Sequence, residues 1–406
     1  MSGGGARARR KQSKARRARR MKANAPSAGS SQRPSIGTLP AASSTKRTAS
    51  GSGGPSAWPS LPLVARYGLA FLVGAVGSVI FVWVQFPLPW FLGALTACLV
   101  ASVVGAPIER PKPLAIPMRA VLGVAIGSAF TPALLDRAGS MAWSLLLLIP
   151  FMIFVIGLGM VVYEKLGKFD RPTAFFAAVP GGLTDMTAMA EDSGANARAV
   201  ILVQASRILV IVFALPLWLQ WHDGLAVGQA FAGRVRIWEV GPLDAVIMVA
   251  MGLGGWLGAR WLGLAGAPIV GPMLVSGFAH VFGLTEARVP LEVLIIAQIS
   301  VGTLLGCQFR GLTMKEFSNT MVWGIAYAFV LLVITGFTAQ WVAQFTGFSP
   351  VSVLLAFAPG GQTELNLLAF VLGLDVAYIA LHHLVRLGVV ILGAQLVFKT
   401  QGWRRG

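Results

Sequence analysis

Runs of about 20 apolar residues recur from Leu61 to Lys399, and they constrain the fold more than any other feature of the chain. A helix of that length is what crossing the hydrocarbon core of a bilayer requires. Only 12% of the 406 residues are charged, which is about half the fraction of an average soluble protein. The sequence therefore predicts an all-α, polytopic helical membrane protein.

The apolar runs form two sets of six, separated by a more polar linker at residues 222–240. The first set lies near 61–84, 87–104, 113–130, 140–163, 172–190 and 197–221. The second set lies near 241–262, 268–283, 291–309, 319–345, 350–372 and 374–399. We expect two homologous membrane repeats, 61–221 and 241–399, and a short basic tail at 400–406.

An internal duplication relates the two sets. The stretch PGGLTDMTAMAEDSG begins at Pro180, and PGGQTELNLLAFVLG begins at Pro359. The spacing between these two prolines defines the repeat offset, and several landmarks at one constant offset are typical of an internal repeat. The same offset carries Gly123, Gly127, Phe130 and Arg207 onto Gly302, Gly306, Phe309 and Arg386.

Each Pro-Gly-Gly motif breaks a segment in which a membrane helix would otherwise continue. Unwound backbone is tolerated at membrane depth only where it is buried in protein or lines a watery cavity. Paired breaks mark the substrate site of many secondary transporters, although an ordinary kink or loop is the alternative. We predict a substrate site between the breaks. Its candidate residues are Gly181, Gly182, Thr184, Asp185 and Arg207 in the first repeat, and Gly360, Gly361, Gln362, Thr363, Glu364, Asn366, His383 and Arg386 in the second.

Two arginines lie close to the middle of apolar runs, where a charge costs roughly 2.5–3.5 kcal/mol on insertion scales. We therefore expect Arg207 to pair with Asp185 and Arg386 with Glu364, or crosswise between the repeats. Such pairs would serve substrate or proton coupling, or would only fasten helices together. His383 shares a helix face with Arg386 and is a candidate proton relay; a neutral, hydrogen-bonded histidine is the alternative.

The charges of the loops leave the relative orientation of the repeats open. Loop 164–171 carries three basic residues, whereas its repeat partner 345–349 carries none. That contrast favours inverted repeats with re-entrant breaks and five crossings in each half. Basic residues in the linker favour parallel repeats instead. We expect inversion because many transporters are built in that way.

Residues 1–56 contain thirteen Lys or Arg and no Asp or Glu, and they cannot bury enough apolar surface to fold. The first interpretation is a disordered cytoplasmic tail on anionic lipid, which places both termini in the cytoplasm. Phosphate contacts with nucleic acid and an organelle transit peptide are alternatives. Without interleaved aromatics we expect no sequence-specific nucleic-acid binding.

No residue pattern predicts catalysis, a cofactor or a metal. Cys98 and Cys307 lack metal-ligand spacing and are expected to be small buried hydrophobes. The adjacent His382 and His383 point about 100° apart on a helix, so they do not readily share a metal. GxSxG, Walker, HExxH and Rossmann motifs are absent from the sequence in their required contexts. We therefore expect no enzyme.

The doubled PGGLTDMTAMAED and PGGQTELNLLAF, each followed by an arginine in the next apolar run, resemble the AbrB family of bacterial integral membrane proteins. The resemblance covers roughly residues 65–400. It implies an inner-membrane protein linked to regulation of gene expression, and a likeness to transporters with inverted repeats. Some members carry the label ammonia monooxygenase, which no histidine cluster supports here.

The sequence as a whole favours a secondary transporter or exporter of a small solute in the bacterial inner membrane. The alternative is a membrane-bound sensor that regulates gene expression through a partner, and a membrane enzyme comes third. The expected partners are the lipid bilayer, anionic lipid at the tail, the solute and, if transport is coupled, protons. The solute's identity, the direction of transport and homo-oligomer formation stay open.

Overall fold

The computed structural model describes residues 61–223, 235–310 and 314–401, and all its regular elements there are helices. The predicted tail 1–56, most of the linker and the last residues of the chain lie outside the described residues. Seven helices are long and apolar enough to cross a membrane. They are Leu63–Trp83, Ala138–Leu166, Ala197–Trp221, Pro242–Trp261, Leu291–Phe309, Thr320–Thr346 and Val376–Val397. The prediction of a polytopic helical membrane protein is confirmed.

Corresponding helices follow one another in the same order in the two halves. The first half contains α1 (Leu63–Trp83), α2 (Pro89–Val103), α3 (Lys112–Gly127), α4 (Ala138–Val161), α5 (Arg171–Ala178), α6 (Leu183–Asp192) and α7 (Ala197–Asp223). The second contains α8 (Pro242–Trp261), α9 (Ala267–Val281), α10 (Leu291–Gly306), α11 (Met314–Thr346), α12 (Pro350–Phe357), α13 (Gln362–Val371) and α14 (Val376–Gln401). Helices α3, α5, α6 and α7 each begin one repeat offset before α10, α12, α13 and α14.

Each Pro-Gly-Gly break separates two short helices. Helix α5 ends at Ala178 and α6 begins at Leu183, on either side of Pro180. The backbone N–H of Asn196, just beyond α6, donates to Thr173 Oγ1 near the start of α5, at 2.8 Å. The two ends of the α5–α6 pair are therefore neighbours, so the pair is a hairpin with the break at its tip. Eight residues of helix span about 12 Å, so neither short helix of this length could cross a bilayer about 30 Å thick.

The helix starts of the two hairpins use the same device. The Asp170 carboxylate accepts the backbone N–H of Thr173 at 3.2 Å, and this bond caps α5. At the corresponding position Ser349 Oγ accepts the backbone N–H of Ser352 at 3.1 Å and caps α12. Both residues belong to the types that N-caps prefer. The outer entry to each hairpin is thus defined by one polar side chain.

Glycines that revealed the repeat bring the two halves into close contact. A Cβ added at Gly123 or Gly127 of α3 would lie 2.5 Å from a carbonyl oxygen of α9. A Cβ added at Gly306 of α10 would lie 2.5 Å from the Leu95 carbonyl oxygen of α2. Gly302 contacts the preceding turn of α2, at the Phe91 carbonyl oxygen. The small residue therefore permits backbone contact. Helix α3 packs on α9 while α2 packs on α10, so each half contributes to the packing of the other.

The directions of these helices can be read from their contacts. Proceeding along α10 from Gly302 to Gly306, the contacts move forward along α2 from Phe91 to Leu99, so α2 and α10 are parallel. Arg310, just beyond α10, forms an ion pair with Glu109, just before α3. The end of α10 thus lies beside the start of α3, its counterpart. Corresponding helices α3 and α10 run in opposite directions, as an inverted repeat requires; placement in a bilayer stays a prediction.

The interior and the outer surface of the described helices differ in the expected way. One buried cluster joins apolar residues of both halves, including Phe91, Phe176 and Phe357. Large apolar side chains on the outer helix faces stay exposed, among them Trp143 and Phe337. In water such a surface would be a liability, but against lipid tails it is expected.

Candidate functional site

A cavity of about 320 Å³ lies between the tips of the two hairpins. The first tip contributes Pro180, Gly181 and Gly182 to its wall, and the second contributes the run from Gly360 to Glu364. Helices α3, α7, α9, α10 and α14 and the segment just before α3 complete the lining. The two breaks, one from each half of the chain, therefore face one shared space.

The glycines at the tips allow the chain to turn tightly. A Cβ on Gly181 would lie 2.7 Å from Met186 Cγ, and one on Gly360 would lie 2.8 Å from Leu365 Cδ1. Met186 and Leu365 are themselves separated by the repeat offset, and both are buried. Each tip is thus covered by an apolar residue from the first turns of the following helix.

Arg386 fastens the second hairpin tip to α14. Its Nη1 donates to the Ala358 carbonyl oxygen at 2.5 Å, and its Nη2 donates to the Gly360 carbonyl oxygen at 3.0 Å. These carbonyls are left without helical partners where α12 stops, so the guanidinium replaces the missing donors. Among the described residues, no ion pair joins Arg386 to Glu364. The predicted pairing of those two residues is wrong, because Arg386 is occupied by backbone carbonyls.

Arg207 has a similar position in the first half but does not line the cavity. It is 2% exposed, and its Nη1 donates to the Ala178 carbonyl oxygen at 3.4 Å, at the end of α5. Helix α6 contains Thr184 and Asp185, whose side chains lie outside the described residues. The predicted pair of Arg207 with Asp185 therefore stays a prediction.

His383 attaches the other side of the second hairpin. Its Nε2 donates to the Leu355 carbonyl oxygen at 3.0 Å, and its Nδ1 lies 3.0 Å from the side-chain amide of Asn366. In the first half, Gln204 occupies the corresponding position and donates to the Phe176 carbonyl oxygen at 2.9 Å. The two side chains make the same helix-to-hairpin contact, although only the imidazole is a titratable group.

The neighbouring histidine belongs to a separate cluster. His382 Nε2 lies 2.9 Å from Ser144 Oγ on α4, and Ser144 Oγ lies 2.5 Å from the Tyr378 hydroxyl. The two histidines therefore point to different helices, as their adjacency on one helix requires. All three side chains of this cluster are buried away from the cavity lining.

The structure brings most of the predicted site residues together. Those that line the cavity are Gly181, Gly182, Gly360, Gly361, Gln362, Thr363, Glu364, His383 and Arg386. Asn366 lies behind His383 as a supporting contact and Arg207 lies behind the first tip, so neither reaches the lining. The geometry of the site is thus built mainly by the second hairpin and α14.

Three polar lining residues were missed as site residues. Arg110 precedes α3, Arg119 lies within α3, and Gln308 follows α10. The sequence held one usable signal, because the repeat offset carries Arg119 onto Gln298, which makes this a polar position inside an apolar helix in both halves. Arg110 and Gln308 have apolar repeat counterparts, so the duplication does not single them out.

Four polar atoms on the cavity wall are buried and have no hydrogen-bond partner in the described protein. They are Arg110 Nε, Arg119 Nε, Gln308 Oε1 and Gln362 Nε2. Buried polar groups are almost always paired, so each group left unpaired requires an explanation. Water or a polar solute in the cavity would supply the missing partners.

These features define a class of protein: a helical membrane protein in which each half of the chain places a broken hairpin at one polar cavity. The AbrB family, described as "Transition state regulatory protein AbrB", matches residues 90–401. The chain belongs to this family, and the resemblance noted from its motifs is confirmed.

Two curated relatives extend over most of the chain. The chain is 24% identical over 340 residues to the Bacillus subtilis (strain 168) protein described as "Uncharacterized protein YhjN", covering 79% of this chain and 88% of that relative. It is 24% identical over 336 residues to "Putative regulator AbrB" of Escherichia coli (strain K12), covering 81% of this chain and 94% of that relative.

Proposed function

We propose that the protein is a secondary transporter of a small solute, with the cavity between the hairpin tips as its substrate site. The observation that supports this proposal most is that the tips of corresponding hairpins from both halves line one cavity. Broken segments that meet near the membrane midplane are a recurring way to build a transporter site. The cavity's size, about 320 Å³, is at the lower end of the range for small-molecule sites, which begins near 300 Å³.

Glu364 is the proton-coupling candidate in this proposal. It is the sole carboxylate among the described lining residues, and it lies in the first turn of α13 at the hairpin tip. Among the described residues no ion pair joins Glu364 to Arg386, whose guanidinium donates to backbone carbonyls instead. A carboxylate that is not committed to an ion pair is suited to taking up and releasing a proton during transport.

The location of the protein forms part of the same proposal. We place it in the bacterial inner membrane with both termini in the cytoplasm, since the basic tail follows the positive-inside rule. The proposal includes no chemical conversion of the solute and no cofactor. Its partners are the bilayer, anionic lipid beside the tail, the solute and protons.

The test is flux in proteoliposomes that contain the purified full chain. A panel of radiolabelled organic acids, amines and sugars is offered with and without a pH gradient. We expect at least one solute to accumulate, and we expect Glu364→Gln to abolish the response to the gradient. Glu286→Gln provides the matched control, because Glu286 is exposed between α9 and α10. Absence of any flux with folded, correctly inserted protein would contradict the transporter proposal.

A second candidate is a membrane-bound sensor that alters gene expression through a partner. The description of the Escherichia coli relative as "Putative regulator AbrB" favours it. In that case the same cavity would bind a solute without moving it. Binding without flux in the proteoliposome experiment, together with changed transcript levels after gene deletion, would support the sensor.

A further inference from the structure

We infer that the cavity binds a small organic anion, whose carboxylate is held by Arg110 and Arg119 and whose short aliphatic body lies against the apolar lining. The inference rests on the proposed function, because it names the substrate class of the same cavity. It is argued from the charge, the unpartnered donors and the apolar surface of the described lining residues.

The described lining carries more positive than negative charge. Three arginines, Arg110, Arg119 and Arg386, face one carboxylate, Glu364. Arg386 is already bound to carbonyls at the hairpin tip, and Glu364 interacts electrostatically with Arg119. The guanidinium donors that remain free for a ligand therefore belong to Arg110 and Arg119. A concave, low-dielectric site of one sign attracts solutes of the opposite sign.

Arg110 and Arg119 are close enough to affect each other. Arg110 lies between α2 and α3, and burial together with the nearby charge of Arg119 lowers the pKa of Arg110. Two like charges held together in a partly buried place cost free energy until an anion lies between them. A carboxylate is the ligand that relieves this repulsion.

The unpartnered polar atoms of the wall also favour an acceptor. Arg110 Nε and Arg119 Nε are donors only, and neither has a partner in the described protein. A carboxylate offers two oxygens with about four acceptor sites, and arginine binds it with good geometry. A protonated amine has only N–H donors, so it would leave both guanidinium groups without an acceptor.

The first turn of α13 adds to the same preference. This ten-residue helix begins at the cavity wall with Gln362 and Thr363. The unpaired backbone N–H groups and the dipole of a helix N-terminus stabilise negative charge. The helix N-terminus only reinforces the preference for an anion, whose sign the arginines determine.

The rest of the lining favours an organic body over a bare inorganic ion. The aliphatic side chains on the wall are Ile208, Ile269, Val301, Leu304, Leu305 and Leu387. At roughly 30 Å³ for each water of the liquid, a 320 Å³ cavity holds on the order of ten water-sized groups. That volume fits a carboxylic acid with a chain of a few carbons, and phosphate alone would leave the apolar wall uncovered.

The experiment compares three solutes that share a five-carbon body and differ in charge. Glutarate is a dianion, 1,5-pentanediol is neutral and 1,5-diaminopentane is a dication. Each is titrated into the detergent-purified full chain at constant ionic strength, and the shift of the thermal unfolding midpoint is measured. We expect glutarate alone of the three to raise the midpoint in a saturable manner. Equal stabilisation by the diol or the diamine would overturn the inference.

Variants then assign the binding to the two arginines. Arg119→Gln and Arg110→Gln are each expected to weaken glutarate binding at least tenfold, whereas Arg119→Lys should retain it within a few-fold. Arg288→Gln is the matched control, because Arg288 is exposed before α10. Glu364→Gln removes the competing carboxylate and should strengthen binding several-fold. Unchanged affinity in folded Arg119→Gln and Arg110→Gln protein would refute the assignment.

Two further results separate this inference from the proposed function. Glutarate binding without flux of labelled glutarate supports the anion site and counts against transport. Flux of 1,5-diaminopentane without glutarate binding supports transport and overturns the anion site. Inorganic phosphate is included as a fourth solute, and binding as strong as that of glutarate would overturn the role assigned to the apolar wall.

Discussion

Cys98 and Cys307 lie side by side in one buried cluster, although one cysteine belongs to α2 and the other follows α10. Both are buried and free, and they share a small apolar cluster with Ala70 and Ile108. Gly306 brings the two backbones together, because a Cβ there would lie 2.7 Å from Cys98 Cβ. The only two cysteines of the chain therefore report on the contact between its halves.

This contact predicts a disulfide across the two halves under oxidation. Diamide crosses membranes and accepts the two hydrogens released when two thiols join, so we expect it to link Cys98 to Cys307 within one chain. After denaturation, a maleimide polymer should add twice to untreated protein and not at all to oxidised protein. Cys98→Ala and Cys307→Ala provide the controls, since the remaining thiol should still react once. Two additions after oxidation would contradict the packing of α2 on α10.

The glycines between the halves predict a stability difference. Gly127→Ala should lower the free energy of unfolding by about 1–3 kcal/mol, because its Cβ would press on the Met273 carbonyl oxygen. Gly258→Ala is the matched control, since no atom lies within 4 Å of its added Cβ. Thermal unfolding in detergent measures both variants. Equal midpoints for the two would show that α3 does not approach α9 as closely as described.

The contacts of Arg386 predict how two charge substitutions combine. Arg386→Gln should cost about 1–3 kcal/mol, because it removes the side-chain donors that bind the Ala358 and Gly360 carbonyl oxygens at the hairpin tip. Glu364→Gln should cost much less. In the double variant the two effects should add, with no recovery, because the residues do not form an ion pair. The measurement is the thermal unfolding of the wild type, both single variants and the double variant. If the double variant were more stable than Arg386→Gln alone, the result would support the Arg386–Glu364 ion pair first expected from the sequence.

The opposite directions of the halves predict the labelling of two matched loops. Lys168 precedes α5 and Ser349 precedes α12, separated by close to the repeat offset, and both are exposed. Cysteines placed there, in a Cys98→Ala and Cys307→Ala background, should react with an impermeant maleimide from opposite faces of the membrane. Permeabilised vesicles should label at both positions and serve as the control. Labelling of both cysteines from one face would mean parallel repeats.

Sequence reasoning located the helices well because two signals agreed. Hydrophobic length predicted the segments, and the repeat offset checked each segment of one half against the other. The two breaks stood out because Pro180 and Pro359 interrupt apolar runs. The described helices begin or end within a few residues of the expected bounds. Periodicity alone would not have separated α5 from α6.

The partners of the charged residues were harder to predict. The sequence shows that Arg386 and Glu364 are both costly in a membrane, and pairing them is the simplest way to lower that cost. It does not show that backbone carbonyls at the break, rather than a carboxylate, accept the hydrogen bonds of the arginine. Arg110 and Gln308 join the cavity because helix ends from distant parts of the chain meet there. Such proximity depends on tertiary packing and leaves no local pattern.

The exchange of close contacts, α2 with α10 and α3 with α9, has a consequence for how such a chain could arise. If a gene encoded one half alone, two copies could form these same contacts only as a two-fold symmetric dimer, each copy offering the surface that the other needs. Because the corresponding helices of the two halves run in opposite directions, such copies would have to enter the membrane in both orientations. Fusion into one chain removes that requirement, and each half can then diverge. The present asymmetry, with His383 on one side and Gln204 on the other, is a difference that identical copies could not have held.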